Sequence, residues 1–324
     1  MKRMFSALLI AVFGLFPSGA NAQQVTYKFG YILSRDSQLG AGATAFANEV
    51  AKRTAGRITI EQQPNAVLGG EVEMLKGMQV GTVDMAFITG APLPNIVPEV
   101  GVFNVPFIFR DAEHAHMVLD GPIGQAYLAK FKDKDLIALA WGENGLRHLT
   151  NSKHPITQPE DLKGLKLRLP QSDVMIKGFK ALGADVAALP FPKLYEALQS
   201  GQFDGQENPI ATILASKFSQ VQKFLTLSGH VYDPAVILIS SDIWGDLKEG
   251  DRAAVIEAAK VGAKASRDFA GEAQRKGVET LRQQGMEVVE TIDRTRFVSA
   301  LQEVRSDYEK TFGADVIARI ENTK

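Results

Sequence analysis

The 324-residue chain has no cysteine. That absence excludes disulfides, cysteine–zinc sites, thiol nucleophiles and a lipid-bearing cysteine at a processed N-terminus. Past the first two dozen residues, no apolar run approaches the roughly 20 needed for a membrane helix. There is no excess of positive charge: the formal net charge is −1, so nucleic acid is not an expected partner. Nowhere does a G-x-S-x-G, an H-E-x-x-H or a phosphate loop occur, so nothing local points to a catalytic or metal centre.

What is present begins with an export signal. Lys2 and Arg3 form a basic start, Met4–Phe16 is apolar, and Ala20-Asn21-Ala22 fits an A-x-A cleavage site. The apolar run is too short for a span and ends in a processing site, which reads as a secretory signal peptide over 1–22. Cleavage after Ala22 would leave 302 residues with a net charge of −3. An exported chain with no anchor is expected in a periplasm. Its composition, 45% hydrophobic and 23% charged, suits a large core.

Strand and helix patterns alternate. Val25–Leu33, Arg57–Gln63 and Val83–Thr89 read as strands, and Glu71–Val80 reads as a helix. Ala43, Phe46, Ala47, Val50 and Ala51 recur at helical spacing. Residues 91–110 carry four prolines and read as an irregular crossover. Helices are expected near Asp111–Leu119 and Gln125–Lys130, then separate strands at Leu136–Gly142 and Leu146–Asn151. A second unit follows, with strands Leu165–Leu169 and Asp185–Leu189 and helices Asp173–Leu182 and Lys193–Ser200, the last ended by Gly201. Ala253–Gln284 reads either as one long helix or as two broken near Gly271. Alternation of this kind predicts an α/β sheet with helices on both faces.

Three motifs invite chemistry. Gly40-Ala41-Gly42-Ala43-Thr44-Ala45 fits G-x-G-x-x-A, with Glu61 downstream, and raises the alternative of an exported NAD-dependent oxidoreductase. Six residues separate it from the preceding strand, however, and the fingerprint needs its turn at once. The competing reading is small residues packing a helix start. His114-Ala115-His116 looks helical, where i,i+2 side chains diverge, so a surface helix is expected in place of a metal site. In Gln206-Glu207-Asn208-Pro209, the proline suits a first helical position and makes Asn208 an N-cap near which an anion is favoured.

Arg147 and Arg168 lie in short strands 21 residues apart. Each reads on physics alone either as part of a solvated face or as a cation awaiting an anion at a strand's carboxyl end. The segments GENGLRHLTNSKHPITQPEDLKGLKLRLP and LPFPKLYEALQSGQFDGQENP, with VLGGEVEMLKGMQVGTVDMAF, VQKFLTLSGH and the long helix, resemble the DctP family. These are substrate-binding proteins of tripartite ATP-independent periplasmic (TRAP) transporters, and the likeness spans the mature chain. It implies a two-lobed periplasmic-binding-protein clamshell, type II-like, with the long helix crossing both lobes. By analogy, lobe I would hold 23–145 and 234–273, and lobe II 146–233 and 274–324.

Carried onto matching positions, the resemblance implies that Arg168, in K-x-R-x-P, binds the ligand carboxylate. Arg147, in N-G-x-R, would supply a second cation, and Asn208, in Q-E-N-P, a hydrogen bond to the same carboxylate. Phe191 would pack beside the ligand, Gln171 would be a polar neighbour, and Glu71 would reach ligand hydroxyls. Ser34, Asp36 and Thr89 occupy positions that vary with substrate, and Asn144 adds a further polar group. The implied function is capture of a small organic acid for a TRAP membrane permease, without catalysis, cofactor or metal, by a monomer. The many polar groups favour a sugar acid such as a uronate or aldonate over a C4-dicarboxylate or 2-oxo acid.

Overall fold

The computed structural model describes residues 24–324, so the expected signal peptide lies outside the described residues. The chain opens with β1 (Val25–Gly30), α1 (Gln38–Arg53), β2 (Ile58–Gln63), α2 (Glu71–Gln79) and β3 (Met85–Thr89). Every residue of β3 is buried, which explains its unbroken apolar run. The proline-rich crossover forms two 3₁₀ turns, Leu93–Asn95 and Pro98–Asn104, that bury Val100, Val102 and Phe103. After α3 (Ala112–Asp120) and α4 (Pro122–Ala129) comes β4 (Leu136–Asn151).

The two strands expected at 136–151 are one. β4 runs through Glu143-Asn144-Gly145 by taking register shifts at Glu143/Gly145 and at Arg147/Leu149, with Gly145 at φ +130°. A bulge of this kind bends a strand without ending it.

The second unit comprises β5 (Lys166–Leu169), α5 (Asp173–Ala181), β6 (Asp185–Ala188), α6 (Leu194–Gln199), β7 (Gly205–Pro209) and α7 (Ile210–Ala215). A 17-residue strand, β8 (Phe224–Ser240), then returns along the whole of β4. Periodicity does not mark it, because Asp233 and Pro234 interrupt its apolar pattern. The chain closes with α8 (Ser241–Asp246), α9 (Glu249–Gln283), β9 (Glu287–Val289), α10 (Arg294–Ala300), α11 (Gln302–Phe312) and α12 (Ala314–Glu321).

The nine strands of the described residues share one mixed sheet in the order β2-β1-β3-β8-β4-β7-β5-β6, with β9 beside β8. β3 pairs with the C-terminal half of β8, and β7 pairs with the C-terminal half of β4. The two long strands are thus common to both halves of the molecule, and helices flank each half. This is the α/β fold expected. The buried apolar residues divide into a large cluster and a smaller one built on Leu194, Leu198, Ile213, Phe218 and Leu281.

α9 is one unbroken helix of 35 residues, about 50 Å at 1.5 Å per residue. Gly271 does not break it. The cost of a helical glycine, about 1 kcal/mol against alanine, is offset by the tertiary packing of Val255, Ala258, Ala259, Ala263 and Ala270. Its small residues admit α1 closely: a Cβ on Gly262 would stand 2.8 Å from the Gly42 carbonyl oxygen and 2.8 Å from Phe46 Cβ.

The same contact settles the Gly40–Ala45 motif. These residues lie inside α1, which Ser37 caps by accepting from the Gly40 N–H at 3.1 Å. With no glycine turn between β1 and the helix, there is no dinucleotide fingerprint, and Gly42 serves as the crossing point with α9. His114 and His116 are helical as expected, but neither is loose. His114 bonds the Ile320 carbonyl oxygen, and His116 Nε2 lies 2.6 Å from Glu143 Oε2.

Substituting Gly262 with alanine should therefore destabilise the protein by about 1–3 kcal/mol through overpacking. Urea unfolding of the variant checks this, and an unchanged midpoint would contradict the close α1–α9 crossing.

Candidate functional site

The site lies where β4 and β8 bend. β5 delivers Arg168 and ends at Pro170; β7 delivers Asn208; β3 ends at Thr89; and α2 begins with Glu71, after Gly69 at φ +100°. Together with Asn144 and Arg147 of β4, Thr212 of α7, Phe191, Ile32 and Leu33, these residues enclose a cavity of about 20 Å³. Seven of the expected residues thus come together: Arg168, Arg147, Asn208, Glu71, Thr89, Asn144 and Phe191. Three do not line this cavity. Ser34 borders a hollow outside it. Asp36 faces a separate hollow between α7 and α9. Gln171 turns its carbonyl oxygen to Asn95 Nδ2 at 2.8 Å.

The two arginines are each 2% exposed but differ in what surrounds them. Arg147 is committed to protein carboxylates. Its Nε and Nη2 donate to the two Glu207 carboxylate oxygens at 2.5 and 2.7 Å, and its Nη1 donates to Asp233 Oδ2 at 2.6 Å. Nη2 also donates to the Glu207 carbonyl oxygen at 2.7 Å and to Asn208 Oδ1 at 3.3 Å. Burial works against the charge of Arg147, but the two carboxylates hold its pKa above the ordinary value. Burial also pushes the Glu207 carboxyl up, yet Arg147 and His230 outweigh that and leave it below the usual range. For Asp233 burial wins, and its pKa stays raised.

Arg168 has no carboxylate partner among the described residues. Its Nε and Nη2 both donate to the Leu189 carbonyl oxygen, at 2.8 and 2.6 Å. That uses one side of the guanidinium and leaves the Nη1–Nη2 end for a bidentate acceptor. Burial lowers its pKa to about 9, against the pull of Glu207 and Glu71 and with the push of Arg147. It remains a cation at neutral pH.

Glu71 is the acidic counterpart. Its Oε1 accepts the Thr89 N–H at 2.7 Å. Burial, aided by the charge of Asp233, raises its pKa to about 7 against the Thr89 hydrogen bond and the attraction of Arg168. Near neutrality it can accept or donate a hydrogen bond.

Asn208 is not an N-cap. It pairs with His148 inside the β4–β7 ladder, and Pro209 takes the capping position. The following proline holds Asn208 extended, and its amide donates to Gln206 Oε1 at 2.5 Å. Behind the cavity, Gln38 Nε2 bonds the Asn144 carbonyl oxygen, Asn144 Oδ1 and Thr212 Oγ1 within 3.0 Å. Sequence reasoning misses Gln38, Glu207, Asp233, His230 and Thr212 as site residues. Glu207 stands within the Q-E-N-P segment, whereas no local signal marks the others.

Removing Arg147 would strand two buried carboxylates. Arg147→Met should destabilise the ligand-free protein by about 3–5 kcal/mol, read as a lowered urea midpoint. A wild-type midpoint would mean that the Glu207–Arg147–Asp233 cluster does not hold this region together.

The chain matches the family described as bacterial extracellular solute-binding protein, family 7, over residues 29–311. It is similar to a solved TRAP periplasmic solute-binding protein from Polaromonas sp. JS666 bound to D-erythronate. The two share 45% identity with a TM-score of 0.92, covering 93% of this chain and 99% of that one. A Bordetella counterpart, whose bound density is assigned to pantoate, shares 43% identity with a TM-score of 0.91, covering 93% of this chain and all of that one. The 2,3-diketo-L-gulonate-binding periplasmic protein YiaO of Escherichia coli is 34% identical over 100% of this chain and 99% of its own length. By sequence and by fold, the chain thus belongs to the family 7 extracellular solute-binding proteins, those of TRAP transporters.

Proposed function

We propose that this protein captures a hydroxylated monocarboxylate of the sugar-acid class in the periplasm and hands it to a TRAP membrane permease, performing no chemistry on it. The observation that carries this reading is Arg168: a buried cation whose open end faces a cavity lined by Glu71, Thr89, Asn144, Asn208 and Thr212. A planar fork binds a carboxylate in one plane and one position. The surrounding hydroxyl, amide and carboxyl groups suit hydroxyls along the ligand. The relatives that hold erythronate and pantoate, and the one that binds 2,3-diketo-L-gulonate, support the same class. A C4-dicarboxylate fits less well, because Arg147 is already neutralised and a second carboxylate would meet Glu71 or Asp233.

The cavity of about 20 Å³ is narrower than any such acid, so entry requires the two halves to part. In this reading lobe I (residues 23–145 and 234–273) and lobe II (146–233 and 274–324) move about the bends of β4 and β8. Closure over the ligand would then create the surface that the permease recognises.

Titration calorimetry with D-erythronate and related acids tests the role of Arg168. Arg168→Lys should weaken binding by at least thirtyfold, the low end of the about 2–5 kcal/mol lost when one partner of a buried charge pair is truncated. Unchanged affinity would refute the assignment. The ligand-free Arg168→Met protein should be no less stable than wild type, because the guanidinium has no carboxylate to strand.

The charge on Glu71 should appear in the pH profile. An anion at Arg168 is repelled by ionised Glu71 and not by its acid form, so affinity should fall as pH rises through about 7. The expected loss is of order tenfold, or ~1.4 kcal/mol, between pH 6 and 8. Glu71→Gln should flatten the profile, and an equally steep profile in that variant would remove Glu71 as the titrating group.

A further inference from the structure

Gln38 does not line the cavity, yet its side chain is fully buried and bonded to residues that do. It is the first residue of α1, directly after the Ser37 cap. Its Nε2 lies 2.7 Å from Asn144 Oδ1, 3.0 Å from the Asn144 carbonyl oxygen and 2.8 Å from Thr212 Oγ1. Its Oε1 is buried without a hydrogen-bond partner among the described residues. One amide nitrogen with two hydrogens therefore serves three acceptors, while the oxygen beside it goes unmet. Leaving a buried polar atom unpaired costs free energy, so a glutamine here is a poor choice for stability alone.

What the side chain does is give two cavity-lining groups a direction. Asn144 is held at both ends of its carboxamide: Oδ1 accepts from Gln38, and Nδ2 donates to Asp233 Oδ2 at 2.7 Å. The Thr212 hydroxyl accepts from Gln38, so its own hydrogen is left to donate. Its acceptor within the protein is Asn144 Oδ1 at 3.3 Å, which is long for an O–H···O bond. Thr212 lines the cavity, where a ligand oxygen can take that hydrogen in place of Asn144.

The bonds also differ in what they join. Gln38 and Asn144 both fall in lobe I as divided above, and their contacts are internal to that half. Thr212 belongs to α7, which continues directly from Asn208 and Pro209 of β7 in lobe II. The Gln38–Thr212 bond therefore crosses from one half to the other. Parting the halves about the bends of β4 and β8 carries α7 away from α1 and breaks it.

We propose that Gln38 is a positioning residue that couples closure to the grip on the ligand: its bond to Thr212 forms as the halves close and aims the Thr212 hydroxyl at a ligand oxygen. This rests on the carboxylate-capture reading and adds to it a residue that does not touch the ligand. Because the bond is made only once the ligand is enclosed, it slows release and leaves the rate of capture alone.

Calorimetry and stopped-flow kinetics with D-erythronate, or with D-glucuronate should erythronate not bind, test this on wild type, Gln38→Met, Thr212→Val and the double variant. Each single substitution should weaken binding about tenfold through faster release, with the association rate within threefold of wild type. The double variant should lose about ten- to thirtyfold and not a hundredfold, because both changes remove one shared bond. Thr212→Ser keeps the hydroxyl and should bind within threefold of wild type. In urea unfolding of the ligand-free proteins the two substitutions should act independently, since the bond is absent while the halves stand apart. Gln38→Asn, one methylene shorter, replaces the methionine variant if that does not fold. Wild-type affinity in the folded Gln38 variant, or a hundredfold additive loss in the double variant, would overturn the proposal while leaving carboxylate capture intact. Equal coupling in the ligand-free unfolding would also overturn it, by making the bond part of the scaffold. If neither acid binds wild type, the capture reading itself fails, and the role of Gln38 with it.

Discussion

The neutralisation of Arg147 by Glu207 and Asp233 is the arrangement on which the site depends. Two guanidiniums buried in one cavity repel each other, and each loses its hydration. The protein answers this asymmetrically. One arginine receives two carboxylates, a backbone carbonyl and an amide oxygen. The other receives a single carbonyl on one side. The first becomes part of the scaffold, and the second keeps its unmet demand for an anion. Had Glu207 or Asp233 faced Arg168, that guanidinium too would have found its anion within the protein.

That division of labour is inherited from the sheet. Arg147 and Asn144 sit beside the register shifts of β4, where the strand bends and its side chains are re-aimed. Asp233 stands opposite Gly145 on β8, and Asn208 stands opposite His148 on β7. Residues from three strands thus meet where the β4–β8 ladder shifts register at Glu143/Gly145 and Arg147/Leu149. α9 runs behind it in contact with α1, α7 and β4, and joins the two halves mechanically.

Alternating apolar patterns already imply an α/β fold, and they place β1, α2, β3, α5 and α9 close to where they lie. Local chemistry also makes Arg168 conspicuous, since a charged residue between Leu167 and Leu169 just before Pro170 must be either solvated or waiting. Residue order alone could not choose between those readings, nor separate Arg168 from Arg147, because their partners come from far along the chain. Asp233 is 86 residues from Arg147, and Glu207 is 60. Merging two expected strands into β4, burying most of β8, moving the helix cap from Asn208 to Pro209 and turning Gly42 into a helix crossing are likewise effects of long-range pairing and close packing. Short-range periodicity follows from the geometry of one strand or helix. Which buried guanidinium is neutralised, and which is left without a carboxylate, is decided only when distant strands are brought side by side.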